Sequence, residues 1–246
     1  MNVFIVGISG KMGKVICERA AEFGISVSGG LDRVAEGKFP VFGSAKDVNV
    51  PVDAVIDFSR PETLPEVIAL AKRFNCHCVL ATTGYDKKQE EQIEKLSELV
   101  PVFKSENMSV GVNALSMLAE KAAEVLKDFD IELVEKHHNQ KADAPSGTAK
   151  LLCRAIERGI NYTPNYLYGR EGNVGKRKKG EIGVHAVRGG TIVGEHEIAF
   201  CGADEVVTLS HSALSRKIFA DGALRAALWL SGKKPAMYDM RDMLNL

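Results

Sequence analysis

Two histidines and a lysine stand within five residues of one another, at His137, His138 and Lys141 in the segment Glu135–Ala149. Histidine exchanges protons near neutral pH, and lysine carries a positive charge that attracts anions. The same segment continues into Ser146–Thr148, which opens a helical pattern whose first backbone N–H groups have no partner inside the helix and favour an anion. We therefore interpret this segment as a proton-transfer site that binds an anionic ligand.

Two other interpretations of this segment are weaker. A plain polar loop would need Ser146 only as a helix cap, and capping is compatible with any function. A zinc site is disfavoured because adjacent histidines diverge, no thiolate or carboxylate stands at ligand spacing, and Lys141 would repel the ion. The sequence therefore predicts no metal.

A glycine-rich turn, Gly7–Gly13, follows the apolar run Asn2–Val6 and precedes a helical pattern. A strand, a glycine turn and a helix N-terminus together hold the pyrophosphate of a dinucleotide. Gly10 and Gly13 match the last two glycines of G-x-G-x-x-G, whereas Ile8 occupies the first position. The segment predicts a dinucleotide site, and a purely structural turn is the alternative.

An acid and an arginine, Asp32 and Arg33, follow the next apolar run, about 20 residues after the turn. A carboxylate at this place accepts hydrogen bonds from the ribose hydroxyls of NAD, and a guanidinium binds the 2′-phosphate of NADP. The pair predicts the use of both NADH and NADPH. A solvated turn without a ligand is the alternative.

The order of elements predicts an α/β protein with two domains. Strand and helix patterns alternate through residues 1–108, which predicts an N-terminal Rossmann-like, doubly wound parallel sheet. Successive strand patterns in residues 109–215 predict a C-terminal α+β domain with a mixed sheet. Residues 216–246 contain an apolar helix, Lys217–Leu230, that is expected to pack back onto the first domain. Residues 34–50 are predicted to be irregular and exposed.

Composition excludes several classes of protein. Equal numbers of basic and acidic residues, 32 each, argue against nucleic acid as a partner. The five cysteines are odd in number and scattered, as in reduced cytoplasmic proteins. Neither a long apolar segment nor a leader pattern is found, so we expect a cytoplasmic protein with no membrane partner.

Four segments together make the chain similar to the 4-hydroxy-tetrahydrodipicolinate reductase (dihydrodipicolinate reductase) family of bacterial lysine biosynthesis. They are Glu135–Ala149, Ala81–Gly84, Asn107–Asn113 and Arg188–His196. The resemblance extends over nearly the whole chain. It implies an NAD(P)H-dependent oxidoreductase of lysine and diaminopimelate biosynthesis, which reduces a small dicarboxylate and assembles as a homotetramer through the sheet of its second domain.

The resemblance also implies roles for individual residues. His137 corresponds to the proton donor and acceptor, and Lys141 to a second donor. The implied substrate-binding residues are His138, Ser146, Gly147 and Thr148. The implied cofactor-binding residues are Gly7, Ile8, Ser9, Gly10, Lys11, Met12, Asp32, Arg33, Ala81, Thr82, Thr83, Ser105, Glu106, Asn107 and Met108. Ala81 replaces a frequent glycine and Met108 a frequent phenylalanine, and both departures are mild.

Two rival functions share the nucleotide half. Another NAD(P)-dependent amino-acid or semialdehyde dehydrogenase would leave the paired histidines, Lys141 and the Ser146–Thr148 segment without a common purpose. A non-catalytic nucleotide sensor would need no converging proton donors, and tight NADH binding without turnover would favour it.

Overall fold

The computed structural model describes residues 1–34 and 37–245. The chain divides into two compact units, Met1–Val110 with Arg216–Leu246 (unit 1) and Gly111–Ser215 (unit 2). The predicted irregular stretch 34–50 includes Ala35 and Glu36, which lie outside the described residues, as does Leu246.

Strands and helices follow one another along the described residues. The strands are β1 Asn2–Val6, β2 Ser26–Leu31, β3 Val41–Phe42, β4 Ala54–Asp57, β5 His77–Leu80, β6 Val102–Lys104, β7 Asp130–His137, β8 Asn165–Leu167, β9 Glu181–Arg188, β10 Gly194–Cys201, β11 Val206–Ala213 and β12 Met237–Tyr238. The helices are α1 Lys11–Arg19, α2 Leu64–Phe74, α3 Lys87–Ser97, α4 Val110–Val125, α5 Gly147–Gly159, α6 Lys217–Leu230 and α7 Met240–Leu244. Short 3₁₀ turns cover Ala20–Phe23, Ala45–Asp47 and Pro61–Thr63.

Over its described residues, unit 1 forms a seven-stranded sheet in the order β12-β6-β5-β4-β1-β2-β3. Every neighbouring pair of these strands is parallel. Successive residues of β1 enter opposite cores, since Ile5 packs with α1 and α6 while Phe4 packs with α2 and α3. Helices therefore cover both faces, and the predicted Rossmann-like parallel sheet is confirmed.

Unit 2, all of whose residues are described, contains a five-stranded sheet in the order β11-β10-β7-β9-β8. The pairs β11–β10 and β10–β7 are antiparallel, whereas β7–β9 and β9–β8 are parallel. Helices α4 and α5 pack against one face, around Leu115, Leu133 and Leu152. The predicted mixed sheet is confirmed.

The structure differs from the sequence prediction in the extent of β7. The apolar run Ile131–Val134 by itself predicts a strand that stops before the histidines, but β7 continues through His137. Glu135 and His137 alternate with outward-facing residues and lie on the helix-covered face, where both are buried. Buried polar residues hide the end of a strand from a hydrophobicity pattern.

Short elements also escaped the sequence prediction. Strands β3, β8 and β12 have two or three residues each, too few for a readable alternation. Within the stretch predicted to be exposed, Ala45 and Val48 are buried in the core of unit 1. Among the described helices, none combines the length and apolar character needed to cross a membrane.

Candidate active site

The glycine turn of unit 1 connects β1 to α1 through backbone that only glycine accommodates. Gly7 has φ +85°, in the left-handed region where a side chain is strained. A Cβ at Gly13 would lie 2.3 Å from the carbonyl oxygen of Gly7. Glycine therefore lets α1 begin against the turn, as a phosphate cradle requires. Ile8 places its side chain in the core, so its backbone borders the turn.

Asp32 is connected to the same turn. Its carboxylate accepts the Ser9 N–H at 2.9 Å and the Arg33 N–H at 2.7 Å. A carboxylate has about four lone-pair sites, so the remaining ones can accept ribose hydroxyls. Asp32 and Arg33 line a cleft of about 450 Å³ together with Gly7 and Gly10. This juxtaposition is the geometry that a bound adenosine ribose requires.

The cleft also contains residues that the sequence analysis missed. Phe58, Ser59 and Arg60, which follow β4, line it beside Arg33. A residue at the carboxyl end of a parallel strand faces the ligand edge of such a sheet, and this rule could have singled them out. Arg60 adds a second guanidinium to the cleft.

Another, smaller cavity of about 190 Å³ is lined by five of the residues predicted to bind the cofactor. Its lining consists of Met12, Ala81, Glu106, Asn107 and Met108, with Phe58 and Phe219. Phe58 lines this cavity and the Asp32 cleft, so the two adjoin. Ser105 supports the segment by donating its hydroxyl to the Asn107 carbonyl at 2.8 Å.

Thr82 has a structural contact in addition to its predicted cofactor role. Its hydroxyl accepts the Ser59 N–H at 3.0 Å, and the buried Asp57 accepts the Tyr85 hydroxyl at 3.0 Å. Burial raises the pKa of Asp57 more than the hydrogen bonds from Ser59, Thr82 and Tyr85 lower it. These bonds connect the turn after β4 to the turn after β5. Lys11 and Thr83 are exposed and line neither cavity.

The residues of unit 1 therefore fit a dinucleotide. Gly7 and Gly13 let the chain turn tightly into α1, and Asp32 lines a cleft beside this turn together with Gly7 and Gly10. The assignment of individual cofactor contacts stays a prediction.

In unit 2, the carboxylate of Glu135 is the centre of a buried hydrogen-bond network. Glu135 has no exposed surface, accepts three N–H groups and lies within hydrogen-bond distance of the His137 ring. His137 Nδ1 lies 2.6 Å from Oε2, the Ser146 N–H lies 2.9 Å from Oε1, and Arg188 donates to both oxygens at 2.8 Å. Burial raises the pKa of Glu135, but the bonds from Arg188, His137 and Ser146 outweigh it and hold the pKa below its ordinary range.

His137 is buried in the final position of β7. Burial lowers the pKa of His137, and the charges of Lys141 and Arg188 add to this against the opposing effect of Glu135. Burial and these charges together favour a neutral imidazole. A Cβ at Gly194 would lie 3.0 Å from His137 Nε2, so the glycine leaves room for the ring.

His196 completes the buried side of this network. Its ring meets that of His137 edge to face with centroids 5.2 Å apart, and its Nε2 lies 3.1 Å from the Ser146 hydroxyl. Its Nδ1 has no hydrogen-bond partner among the described residues. Burial, and then the neighbouring His137, lower the pKa of His196 to about 4.

Lys141 lies beside this network and forms an ion pair with Asp143 at 2.8 Å. This pair lowers the pKa of Asp143. His138, which precedes the turn containing Lys141, is half-buried. A substrate carboxylate would have to compete with Asp143 for the ammonium group.

Ser146 is the N-cap of α5, as the sequence predicted. Its hydroxyl accepts the Ala149 N–H at 3.1 Å, and the preceding Ala144–Pro145 peptide bond is cis. Gly147 is exposed and Thr148 half-buried in the first turn. Contacts from Glu135 and His196 thus hold Ser146 in place, while Gly147 leaves the first turn of α5 exposed, as anion binding requires.

The structure therefore brings together His137, Lys141 and Ser146, which the sequence predicted, with Glu135, Arg188 and His196, to which it assigned no role. The pattern Glu-x-His contained a usable signal, since residues two apart in a strand share a face. The described residues contain no group of three His, Cys, Asp or Glu side chains placed to hold a metal.

Comparison with known proteins identifies the family. Residues 1–108 match the family model described as "Dihydrodipicolinate reductase, N-terminus", and residues 111–244 match "Dihydrodipicolinate reductase, C-terminus". The chain is 46% identical to the 4-hydroxy-tetrahydrodipicolinate reductase of Clostridium novyi over 99% of this chain and 98% of that protein. It is also 46% identical to the enzyme of the same name from Caldanaerobacter subterraneus, with the same coverage.

A solved structure gives the same result. The dipicolinate-bound dihydrodipicolinate reductase from Paenisporosarcina sp. TG-14 superimposes with a TM-score of 0.81 and 26% identity, over 98% of each chain. The resemblance predicted from the sequence is thereby confirmed. The chain belongs to the dihydrodipicolinate reductase family of NAD(P)H-dependent oxidoreductases, whose members are also named 4-hydroxy-tetrahydrodipicolinate reductases.

Proposed function

We propose that this chain catalyses the NAD(P)H-dependent reduction of 4-hydroxy-tetrahydrodipicolinate to tetrahydrodipicolinate in lysine and diaminopimelate biosynthesis, with His137 and Lys141 handling the proton. Beside family membership, one observation carries the assignment to these residues. In unit 2 the buried imidazole of His137 and the N-terminus of α5 share the carboxylate of Glu135, and Lys141 lies beside them in an ion pair with Asp143. A non-catalytic nucleotide sensor would not require these proton-donating groups.

The substrate is a small dicarboxylate, the class of ligand bound by the solved relative. Lys141, His138 and the first turn of α5 provide its counter-charges, because a helix N-terminus and cations both favour carboxylates. Lys141 exchanges Asp143 for a substrate carboxylate when the substrate binds. Gly147 and Thr148 offer backbone N–H groups to the same anion, while Ser146, whose own N–H binds Glu135, caps the helix that presents them.

His137 supplies the proton. Reduction of a conjugated cyclic imine builds negative charge on the ring, which a cationic or protonated group must meet. The chain's own groups lower the pKa of His137, first by burial. A bound dianion raises that pKa, because an opposite charge within about 4–6 Å favours the protonated form. His137 thus gains its proton as the substrate arrives, and Lys141 acts as a second donor.

The turn from Gly7 to Met12, with Asp32 and Arg33, would hold the cofactor. Reductases of this family use NADH or NADPH, and the bound nicotinamide supplies the hydride. Asp32 would accept ribose hydroxyls and Arg33 would pair with a 2′-phosphate, so the site would take both cofactors. Arg33→Ala should weaken NADPH by about 1.5–3 kcal/mol, the range for a charge-assisted hydrogen bond, and NADH much less. Equal losses in a binding titration would contradict this.

The chain is further proposed to act in the cytoplasm as a homotetramer. Unit 2 covers one face of its sheet with α4 and α5, whereas the other face carries Val206, 60% exposed, and Val187, 44% exposed. This face, which neither helix covers, is available for contact with a second copy of the chain. Light scattering after gel filtration should give four times the chain mass of 26.7 kDa. A mass equal to that of one chain would contradict the assembly.

The reaction is tested by supplying purified protein with the product of the preceding synthase and following the oxidation of NADH and NADPH. Substrate-dependent oxidation of both cofactors is expected. Tight NADH binding without turnover would instead favour a nucleotide sensor. Turnover of an amino acid or semialdehyde alone would favour another dehydrogenase.

A further inference from the structure

We propose that Glu135 is a positioning residue for this reaction: held by Arg188 and Ser146, its carboxylate fixes the His137 imidazole with Nδ1–H inward, which leaves Nε2 to exchange the proton. The inference rests on the proposed function for its consequences in catalysis. The claim that Glu135 positions the His137 ring rests on the geometry of the four contacts to its carboxylate.

Each oxygen of the Glu135 carboxylate has two hydrogen-bond partners. Oε2 contacts His137 Nδ1 at 2.6 Å and Arg188 at 2.8 Å, while Oε1 contacts the Ser146 N–H at 2.9 Å and Arg188 at 2.8 Å. A guanidinium and a backbone amide can only donate, so three of the four contacts favour the ionised carboxylate, which can only accept. The fourth partner must then also donate, which assigns the hydrogen of a neutral His137 to Nδ1.

Arg188 holds the carboxylate in place. It binds both oxygens of Glu135, and it also donates to the backbone carbonyl of Asp143 at 2.6 Å. A bidentate arginine restricts the rotation of a carboxylate more than a single hydrogen bond does. Because Asp143 pairs with Lys141, the same arginine connects Glu135 to the backbone beside the second proton donor.

One carboxylate thereby serves two parts of the site. Through His137 it orients the group that exchanges the proton, and through the Ser146 N–H it holds the residue that caps α5. A change at Glu135 should therefore alter both proton transfer and binding of the substrate carboxylate. A residue with only a packing role would not couple these two effects.

The groups around His137 determine how its pKa changes when one of them is substituted. Glu135 faces it from β7, Arg188 from β9, Lys141 from the following turn and His196 from β10. Glu135 is the only carboxylate among these four groups, so removing its charge should lower the pKa of His137 further. The fall of kcat/KM with rising pH should accordingly move to lower pH.

The first measurement uses the wild-type protein and needs no substrate. The ¹⁵N chemical shifts of the His137 ring, assigned by the loss of their signals in His137→Gln, report which nitrogen carries hydrogen. With the imidazole neutral, we expect a protonated Nδ1 and a bare Nε2. A protonated Nε2 in the neutral ring would overturn the proposal.

The second measurement uses Glu135→Gln. The amide nitrogen should take the place of Oε2, where it opposes one arginine N–H, rather than that of Oε1, where it opposes two donors. It then donates to His137 Nδ1 and forces the ring into the Nε2–H tautomer. In the serine-protease triad a wrong tautomer costs about 10⁴-fold in kcat, and here we expect a loss of at least about tenfold together with a higher KM.

Glu132→Gln is the matched control. Glu132 lies on the same strand and also binds arginine and histidine, but on the opposite face of the sheet. The Glu132→Gln substitution should leave the His137 tautomer and the pH profile of kcat/KM unchanged. A folded Glu135→Gln protein with the wild-type tautomer and kcat would overturn the proposal, and if this variant does not fold, the wild-type shifts decide. A wild-type protein without reductase activity would reject the proposed function, while the ring shifts judge the positioning separately.

Discussion

Strand β7 carries two glutamates with similar partners on opposite faces of the sheet. Glu135 binds Arg188 and His137, and Glu132 binds Arg170 at 3.0 and 3.1 Å and His185 at 2.8 Å, with a further contact to Arg177. Residues three apart in a strand point to opposite sides, so one cluster lies under α5 and the other on the outer face. Glu135 is fully buried, whereas the Glu132 side chain is 24% exposed.

The difference between the clusters shows that partner type alone does not determine a role. Glu135 contacts Nδ1 of its histidine, whereas Glu132 contacts Nε2 of His185. Glu135 also holds the cap of a helix, while Glu132 fastens the loop that carries Arg170 and Arg177. For both carboxyls, burial raises the pKa and the partner bonds outweigh it, so both pKa values lie below the ordinary range. The face of the sheet, and what lies next to it, separates a site residue from a loop anchor.

The largest expected effect is on stability. Glu135→Ala should lower the free energy of unfolding by about 3–5 kcal/mol, because it removes one partner of a buried charge pair. Glu132→Ala should cost only about 1 kcal/mol, as expected for partly exposed pairs. Urea denaturation of both variants measures the contrast. Equal losses would show that burial does not distinguish the two clusters.

The next effect is on turnover. His137→Gln keeps a donor for Glu135 but removes the exchangeable proton, so kcat should fall at least about 100-fold. His185→Gln, on the outer face, should leave kcat near the wild-type value. Steady-state kinetics at saturating substrate provides the test. If His137→Gln retains more than about half of the wild-type turnover, Lys141 or a bound water is the better proton donor.

A smaller effect should appear in acid. His196 has its pKa lowered from 6.5 to about 4, so it stays neutral in the folded chain at pH values where the unfolded chain binds a proton. Its contribution to stability is therefore complete above pH 6.5 and is lost as the pH falls toward about 4. His196→Gln should flatten this part of the stability profile. Urea midpoints with an unchanged pH dependence would contradict the assignment.

The smallest effect concerns two glycines, one in each cluster. A Cβ at Gly183 would lie 1.8 Å from the Glu132 carboxylate, and a Cβ at Gly194 would lie 3.0 Å from His137 Nε2. Gly183→Ala should displace the Glu132 side chain and cost about 1 kcal/mol of unfolding free energy without slowing turnover. Gly194→Ala should shift the His137 ring slightly and reduce kcat by up to about tenfold. If Gly183→Ala slowed turnover while Gly194→Ala lowered only the unfolding free energy, the two faces of the sheet would not have the separate roles assigned to them.

Much of this architecture could be predicted from the sequence. Strand β1, the glycine turn and α6 were placed by apolar periodicity and glycine spacing, which depend on local backbone preferences. Within the candidate site, His137, Lys141 and the Ser146 cap were predicted because their chemistry is concentrated in one short segment. The predicted end of β7 was wrong, because a strand whose final inward-facing residues are Glu135 and His137 shows no apolar alternation there.

The family, the two kinds of sheet and the segment with the proton donors could thus all be inferred from the order of the amino acids. The groups that meet this segment follow from the folded arrangement of the chain. Arg188 lies 53 residues from Glu135, and His196 lies 50 from Ser146, so their contacts depend on how β9 and β10 pair beside β7. Strand register sets these neighbours through long-range hydrogen bonds, which leave no local pattern in the chain.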